Sequence, residues 1–153
     1  MQHDRIAPDW LTPTWLSEVL DVDIDDVAYE RIGDGLVGLN LRVTIHSTDA
    51  AAPGSVVLKL PSLDETSRAT GVALRNYERE VKFYEYIADT VDIRVPQCHH
   101  GTWDESTGDF VLVLEDMSPA AQGDQVAGCD VDTAAAAVSE LARLHAPRWD
   151  DPT

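Results

Sequence analysis

From Leu39 to His46 the chain alternates without interruption between apolar and polar residues. Leu39, Leu41, Val43 and Ile45 form one row, and Asn40, Arg42, Thr44 and His46 the other. A period of two predicts a strand with one dry face. Residues 27–32 and 56–60 read as strands on either side of it, joined by a glycine-rich turn and by a turn containing Asp49, Pro53 and Gly54. Three consecutive strands with short connections predict an antiparallel meander. Two more strands are expected at Cys98–Trp103 and Phe110–Glu115, with a turn between them. The period changes at Leu74, Tyr77, Val81, Tyr84 and Ala88, whose spacing of three and four predicts one long helix over about 69–89. A short helix is expected after Thr12, a plausible cap followed by Pro13, and a last helix over about 133–145, capped by Asp132 and stopped by Pro147. The segment 118–130, rich in Gly, Asp, Gln and Ala, reads as a linker. The order is helix, three strands, helix, two strands, linker, helix.

At 153 residues the chain is one domain or part of one. Its 44% apolar content, with four Trp, suits a folded core. The formal charge of −17 argues against nucleic acid and anionic membrane as partners. Asp outnumbers Glu by 19 to 9, and Arg outnumbers Lys by 9 to 2, a bias that a GC-rich genome or a salt-adapted host would both produce. No apolar run is long enough for a membrane span, and Met1–Arg5 leads into no apolar stretch of the signal-peptide kind, so a cytoplasmic location is the default expectation.

The scarcity of lysine makes Lys59 conspicuous, because it sits within the apolar run Val56-Val57-Leu58-Lys59-Leu60-Pro61. Lysine is rarely buried without a partner. A compact ammonium on a strand suits phosphate, whereas an edge-strand lysine would snorkel to water. Upstream, Gly33-Asp34-Gly35-Leu36-Val37-Gly38 matches G-x-G-x-x-G. A dinucleotide-binding fold would open a helix at the third glycine, but here a strand follows. Strand, glycine loop, strand is the arrangement of a kinase nucleotide flap, in which glycines let backbone amides approach phosphate; an ordinary hairpin is the alternative. A phosphate-binding lysine on the next strand needs a carboxylate from the following helix. Glu80 falls on the arc with Tyr77, Tyr84 and Ile87, while Glu78 lies on the other side of the apolar stripe. Phe110–Glu115 runs into Asp116 and Met117, an apolar strand ending in two acids.

Together these segments resemble the aminoglycoside phosphotransferase and ecdysteroid-kinase-like family of small-molecule kinases. The resemblance is carried by Ile32-Gly33-Asp34-Gly35, Val57-Leu58-Lys59-Leu60-Pro61, Tyr77-Glu78-Arg79-Glu80-Val81-Lys82-Phe83-Tyr84, Val113-Leu114-Glu115-Asp116-Met117 and Leu141-Ala142-Arg143-Leu144-His145-Ala146, spread over roughly residues 27–148. It implies an α+β fold, the amino-terminal lobe of a protein-kinase-like enzyme, with a five-stranded antiparallel sheet and one packed helix. Residues 1–26 would be an N-terminal helix and acidic loop, 27–117 the nucleotide-binding lobe, and 118–153 a linker and the first helix of a carboxy-terminal lobe. It implies ATP cradled by Gly33, Gly35 and Gly38, Lys59 on its phosphates, Glu80 orienting Lys59, and adenine against the Glu115–Met117 backbone. The acceptor would be the hydroxyl of a small molecule whose contacts lie elsewhere.

Departures from the family are informative. Asn40 stands where kinase glycine loops commonly place valine. The family's His-Gly-Asp catalytic loop and later magnesium-binding Asp are absent from these residues, so no catalytic residue and no metal ligand is assigned, and Mg2+ is expected only with a carboxy-terminal lobe. By resemblance the chain corresponds to half of a kinase, inactive alone: a fragment, half of a split enzyme, or a pseudokinase module that binds nucleotide without chemistry. Self-association or a separate carboxy-terminal half would then cover its last helix. A structural interaction domain whose glycine loop is only a turn is the rival from another class. Other chemistry finds little support. Cys98 and Cys129 have no metal or redox spacing, His99 and His100 alternate across a strand, and there is no Gly-x-Ser-x-Gly element. The acidic run Asp21–Asp26 lacks the glycine and glutamate that a calcium loop needs at positions 26 and 32.

Overall fold

The computed structural model describes residues 6–33, 37–124 and 126–151. The fold is α+β, built on an open five-stranded antiparallel sheet. The strands are β1 (Asp26–Arg31), β2 (Gly38–His46), β3 (Ser55–Pro61), β4 (Cys98–Trp103) and β5 (Phe110–Glu115), in the order β1-β2-β3-β5-β4. The first three form the meander expected from their short turns. β5 then adds to β3, and β4 forms the far edge, with an irregularity of register between Cys98 and His100.

The alternation in β2 decides the two faces. Leu39, Leu41, Val43 and Ile45 join Val56, Leu58 and Leu60 of β3 and Val113 of β5 in one buried cluster. Helix α1 (Pro13–Leu20) closes this face with Leu16, helped by Ala7, Leu11 and Ile24. Thr12 caps α1 by accepting from the Trp15 amide at 3.2 Å, and Pro13 takes the first helical position, where a missing amide is harmless. Asp21 ends the helix in a left-handed conformation, φ 54°, and the Ser17 hydroxyl then receives the Ile24 amide at 3.0 Å. The acidic segment is thus a helix stop leading into β1.

On the other face, Tyr77 and Val81 pack against Phe110, Leu112 and Leu114. This second cluster covers the β5 side only. The register pairs Lys59 with both Asn40 and Leu112, and Val57 with both Arg42 and Leu114. Asn40, Arg42, Val57 and Lys59 therefore share the face of the second cluster but lie beyond its edge.

One helix expected over 69–89 is two: α2 (Glu65–Ala73) and α3 (Asn76–Tyr86). The chain turns at Arg75, which is left-handed with φ 55°. That conformation is unfavourable for a residue with a Cβ, and here it accompanies specific local contacts. Arg75 donates from Nε and Nη2 to the two carboxylate oxygens of Glu78, each at 2.6 Å, and Lys82 donates to Glu78 at 2.7 Å. Glu78, placed by its helical phase outside the apolar stripe, is instead the buried charged residue of α3, 5% exposed. These hydrogen bonds, Arg75 foremost, hold its carboxyl down at about 2. Two helices, rather than the single one expected, pack beside the sheet on this side. The last helix, α4 (Val131–His145), starts two residues before the predicted position and is capped by Asp130, whose carboxylate receives the Thr133 amide at 2.7 Å. Among the described residues no helix is long and apolar enough to cross a membrane.

Candidate functional site

The uncovered part of the second sheet face is the floor of a cleft of about 400 Å³. Asn40, Arg42, Val57 and Lys59 form the floor, Ile32 and Gly33 one wall, and Leu114 to Ser118 another, with Ala120 and Gln122 of the linker at the mouth. A larger cavity, about 580 Å³, lies between the N-terminal segment and the strands on the α1 side, lined largely by apolar residues such as Trp10, Leu39 and Leu60. Its rim includes Ser62, Glu65 and an ion pair between Arg68 and Asp109.

Lys59 and Glu80 form an ion pair across the cleft's inner edge. The phase of β3 turns Lys59 away from the core cluster that holds Leu58 and Leu60, and α3 presents Glu80 one turn beyond Tyr77. Their side chains are 29% and 32% exposed. At that exposure water screens the pair, and its contribution to stability is on the order of 1 kcal/mol or less. Its larger consequence is geometric: the ammonium is held over the cleft.

Gly33 occupies a left-handed conformation, φ 67°, and a Cβ there would stand 3.3 Å from Oε1 of Gln122. Glycine is therefore favoured at this position for both backbone and space. Gly38 begins β2 beside the Leu60 carbonyl, where a Cβ would make ordinary contact at 3.4 Å. Gly35, the middle glycine of the motif, lies outside the described residues.

At the other wall, Glu115 is tied down on both sides. Its amide donates to Gln97 O at 2.8 Å, its carboxylate accepts the Gln97 amide at 3.0 Å, and Arg94 donates to it as well. Arg94 foremost keeps this carboxyl below the usual carboxylate range. Met117 is exposed at the cleft wall, and its carbonyl accepts from the Ala120 amide at 2.9 Å, which turns the chain into the linker.

The resemblance assigns no role to the Asp116 side chain, and the structure gives it a central position. Arg42 donates to it from Nε at 2.7 Å and from Nη2 at 3.3 Å, Ser55 Oγ donates at 2.7 Å, and the Ser118 amide at 3.0 Å. Asp116 thereby joins β2, β3 and the first residues of the linker. An Asp directly after an apolar strand, with an Arg on the polar row of a strand two places away in the sheet, was the available signal. Its meaning depended on β3 pairing with both β2 and β5, which brings Arg42 and Asp116 together across 74 residues of sequence. Asn40 has a side-chain oxygen that is buried without a hydrogen-bond partner, at the position where the sequence resemblance leads one to expect valine.

The candidate residues thus fall into two groups. Gly33, Lys59, Glu115 and Met117 line the cleft, and Glu80 reaches it through Lys59. Gly38 starts β2 two residues before Asn40 and does not line the cleft. Among the described residues no group of three or more His, Cys, Asp or Glu side chains could hold a metal ion. No protein-family model matches the chain, and no curated protein matches it.

Proposed function

We propose that the chain is the nucleotide-binding lobe of a small-molecule phosphotransferase, of the aminoglycoside phosphotransferase and ecdysteroid-kinase-like kind. The observation that carries this reading is the Lys59–Glu80 ion pair, made between β3 and α3 at the edge of a cleft that also receives Gly33 and Met117. A lysine held by a carboxylate keeps its ammonium in one place while leaving donors for a second anion. Phosphate oxygens of ATP are the anions that such a point charge suits. Adenine would lie toward Leu114–Met117 and its phosphates toward Lys59 and the glycine turn. The sheet order β1-β2-β3-β5-β4, with a helix packed beside β5 and supplying the carboxylate, is consistent with the amino-terminal lobe of a protein-kinase-like fold.

On this reading the chain binds and orients, and supplies no base. The carboxylates of Asp116 and Asp124 are engaged by their own hydrogen bonds: Asp116 by four donors, and Asp124 by the amides of Val126 and Ala127 at 2.8 and 3.0 Å. Any Mg2+ that accompanies the nucleotide would take its main protein ligands from a carboxy-terminal lobe. Transfer of the γ-phosphoryl group to a hydroxyl acceptor would likewise need that lobe's base. A nucleotide-binding module without chemistry uses the same cleft, and the missing His-Gly-Asp element favours it for these residues taken alone.

Calorimetric titration with ADP and with ATP tests the reading. Binding that is lost in Lys59→Met, with an unchanged circular dichroism spectrum, supports it. No binding by the wild-type chain would remove the nucleotide assignment and leave a structural α+β domain.

A further inference from the structure

The helix that holds Lys59 also reaches the glycine turn. Tyr77 lies on α3 three residues before Glu80, so the two side chains are neighbours on one helical face. The Tyr77 ring is 3% exposed and stacks on Phe110 with centroids 4.4 Å apart and planes at 15°. Its hydroxyl donates to the carbonyl of Val37, the last residue before β2, and accepts the amide of Ser62 at 3.4 Å, just after β3. One phenol therefore ties the exit of the glycine turn to the end of the lysine-bearing strand. The fit around the ring is close. A Cβ added at Gly71 of α2 would lie 2.5 Å from Tyr77 Cζ and 2.6 Å from its hydroxyl oxygen, nearer than real contacts allow.

We propose that Tyr77 is a positioning residue that fixes Val37, at the exit of the glycine turn, beside the end of β3, so that α3 sets this exit through Tyr77 and the lysine through Glu80. The part of this inference that concerns ligand rests on the nucleotide reading above. The tether itself does not, because it joins two backbone groups of the ligand-free protein. Packing alone does not account for the phenol: phenylalanine would fill the same space against Phe110, and only the hydroxyl reaches Val37. If α3 slides or rotates, the turn and the lysine lose their anchors together. A binding surface that touched α3 would then act on both.

The test compares wild type, Tyr77→Phe and Gly71→Ala. Phenylalanine keeps the stack and removes the hydroxyl, whereas alanine keeps the hydroxyl and displaces the ring. Hydrogen exchange in the apo protein should rise at the Val37, Gly38 and Ser62 amides in both variants, by about tenfold in Tyr77→Phe, the upper range for one hydrogen bond. Exchange at Leu41 and Leu58 should stay as in wild type, with a urea midpoint little changed for Tyr77→Phe. ADP affinity in that variant should fall about three- to tenfold, by the same arithmetic. Unchanged exchange at Val37, Gly38 and Ser62 in Tyr77→Phe overturns the tether. Raised exchange throughout the sheet, or raised exchange at the turn with wild-type ADP affinity, overturns the positioning role and leaves Tyr77 as packing. A wild-type protein that binds no ADP removes the cleft assignment and the ligand role with it, and the exchange data then decide the tether alone.

Discussion

Arg42 holds Asp116 through two hydrogen bonds, at 2.7 and 3.3 Å, although 74 residues separate them in sequence. The pair fixes the end of β5 against the polar row of β2, and with Ser55 it sets the wall of the cleft relative to its floor. Arg42 also reaches Glu30 of β1 at 3.4 Å, which extends the link to the sheet edge.

Asp116→Asn should therefore destabilise the fold by about 2 kcal/mol at neutral pH, the usual scale for a hydrogen bond to a charged group. The pH dependence has a definite sign. The Arg42 hydrogen bond holds the Asp116 carboxyl below its ordinary value, so its contribution is complete above about 3.9, the unfolded aspartate value. It is lost as pH falls from there through the lower folded value. Glu78, held down at about 2 by Arg75 and Lys82, acts in the same direction. Urea midpoints of wild type and variant should differ at pH 7 and converge toward pH 2. A gap that stays constant over this range would mean that charge at Asp116 is not what the contact needs.

Lys59→Met retains the apolar stem and removes the ammonium. In an enzyme completed by a carboxy-terminal lobe it should abolish turnover and leave the unfolding free energy from urea titration within about 1 kcal/mol of wild type, since a screened pair adds little stability. Glu80→Gln should lower turnover less, because the lysine keeps its charge and loses only its orientation. Near-normal turnover in Lys59→Met would make the lysine a strand residue that snorkels to water.

The strands were legible because burial on one face imposes a period of two, and the buried rows of β2 and β3 match it residue for residue. Lys59 and Glu80 were legible for the same reason: a charge in an apolar run needs a partner, and the next helix offers a carboxylate at the right phase. The break at Arg75 was not. Leu74 and Arg75 include neither glycine nor proline, and the turn is held by tertiary contacts of Tyr77 and by the charges around Glu78. The Glu78–Lys82 spacing of four was a visible signal, but burial of Glu78 depends on what packs over it. Asp116 and the phenol of Tyr77 act between elements far apart in sequence, which periodicity does not report.

The 153-residue chain should transfer no phosphoryl group from ATP to a small hydroxyl acceptor. Most of the rate in such transfers comes from positioning and charge stabilisation around the metal-bound phosphates. Among the described residues no group of three or more His, Cys, Asp or Glu side chains could hold a metal ion. A coupled assay for ADP release, with aminoglycosides and simple alcohols as acceptors, should read the buffer rate. Sustained turnover that disappears in Lys59→Met would place the missing groups within this chain and overturn the expectation.

The last helix has the weakest claim to the fold. None of the α4 residues is buried. Val138 is 65% exposed and Leu141 47%, while Trp149 just beyond the helix is 76% exposed. Leu141, Ala142, His145, Ala146 and Trp149 surround an open apolar hollow of about 360 Å³. Links near its C-terminal end tie it to the body, from the Asp92 amide to Arg143 O at 3.2 Å and from Arg148 to Thr90 Oγ1 at 3.1 Å. An amphipathic helix without a covered face depends on capping and propensity, which for about 15 residues in water is marginal. On the kinase reading a carboxy-terminal lobe supplies the cover. In its absence α4 should exchange its amides far faster than β2 or β3, and the chain should self-associate or bind such a half. Added salt should favour the compact forms, because it screens the repulsion among seventeen excess negative charges. Sedimentation velocity at low and high salt, with hydrogen exchange on the same samples, checks both claims. A chain that stays monomeric at every concentration, with α4 protected as well as the sheet, would show that the helix needs no partner, and the case for a covering lobe would go with it.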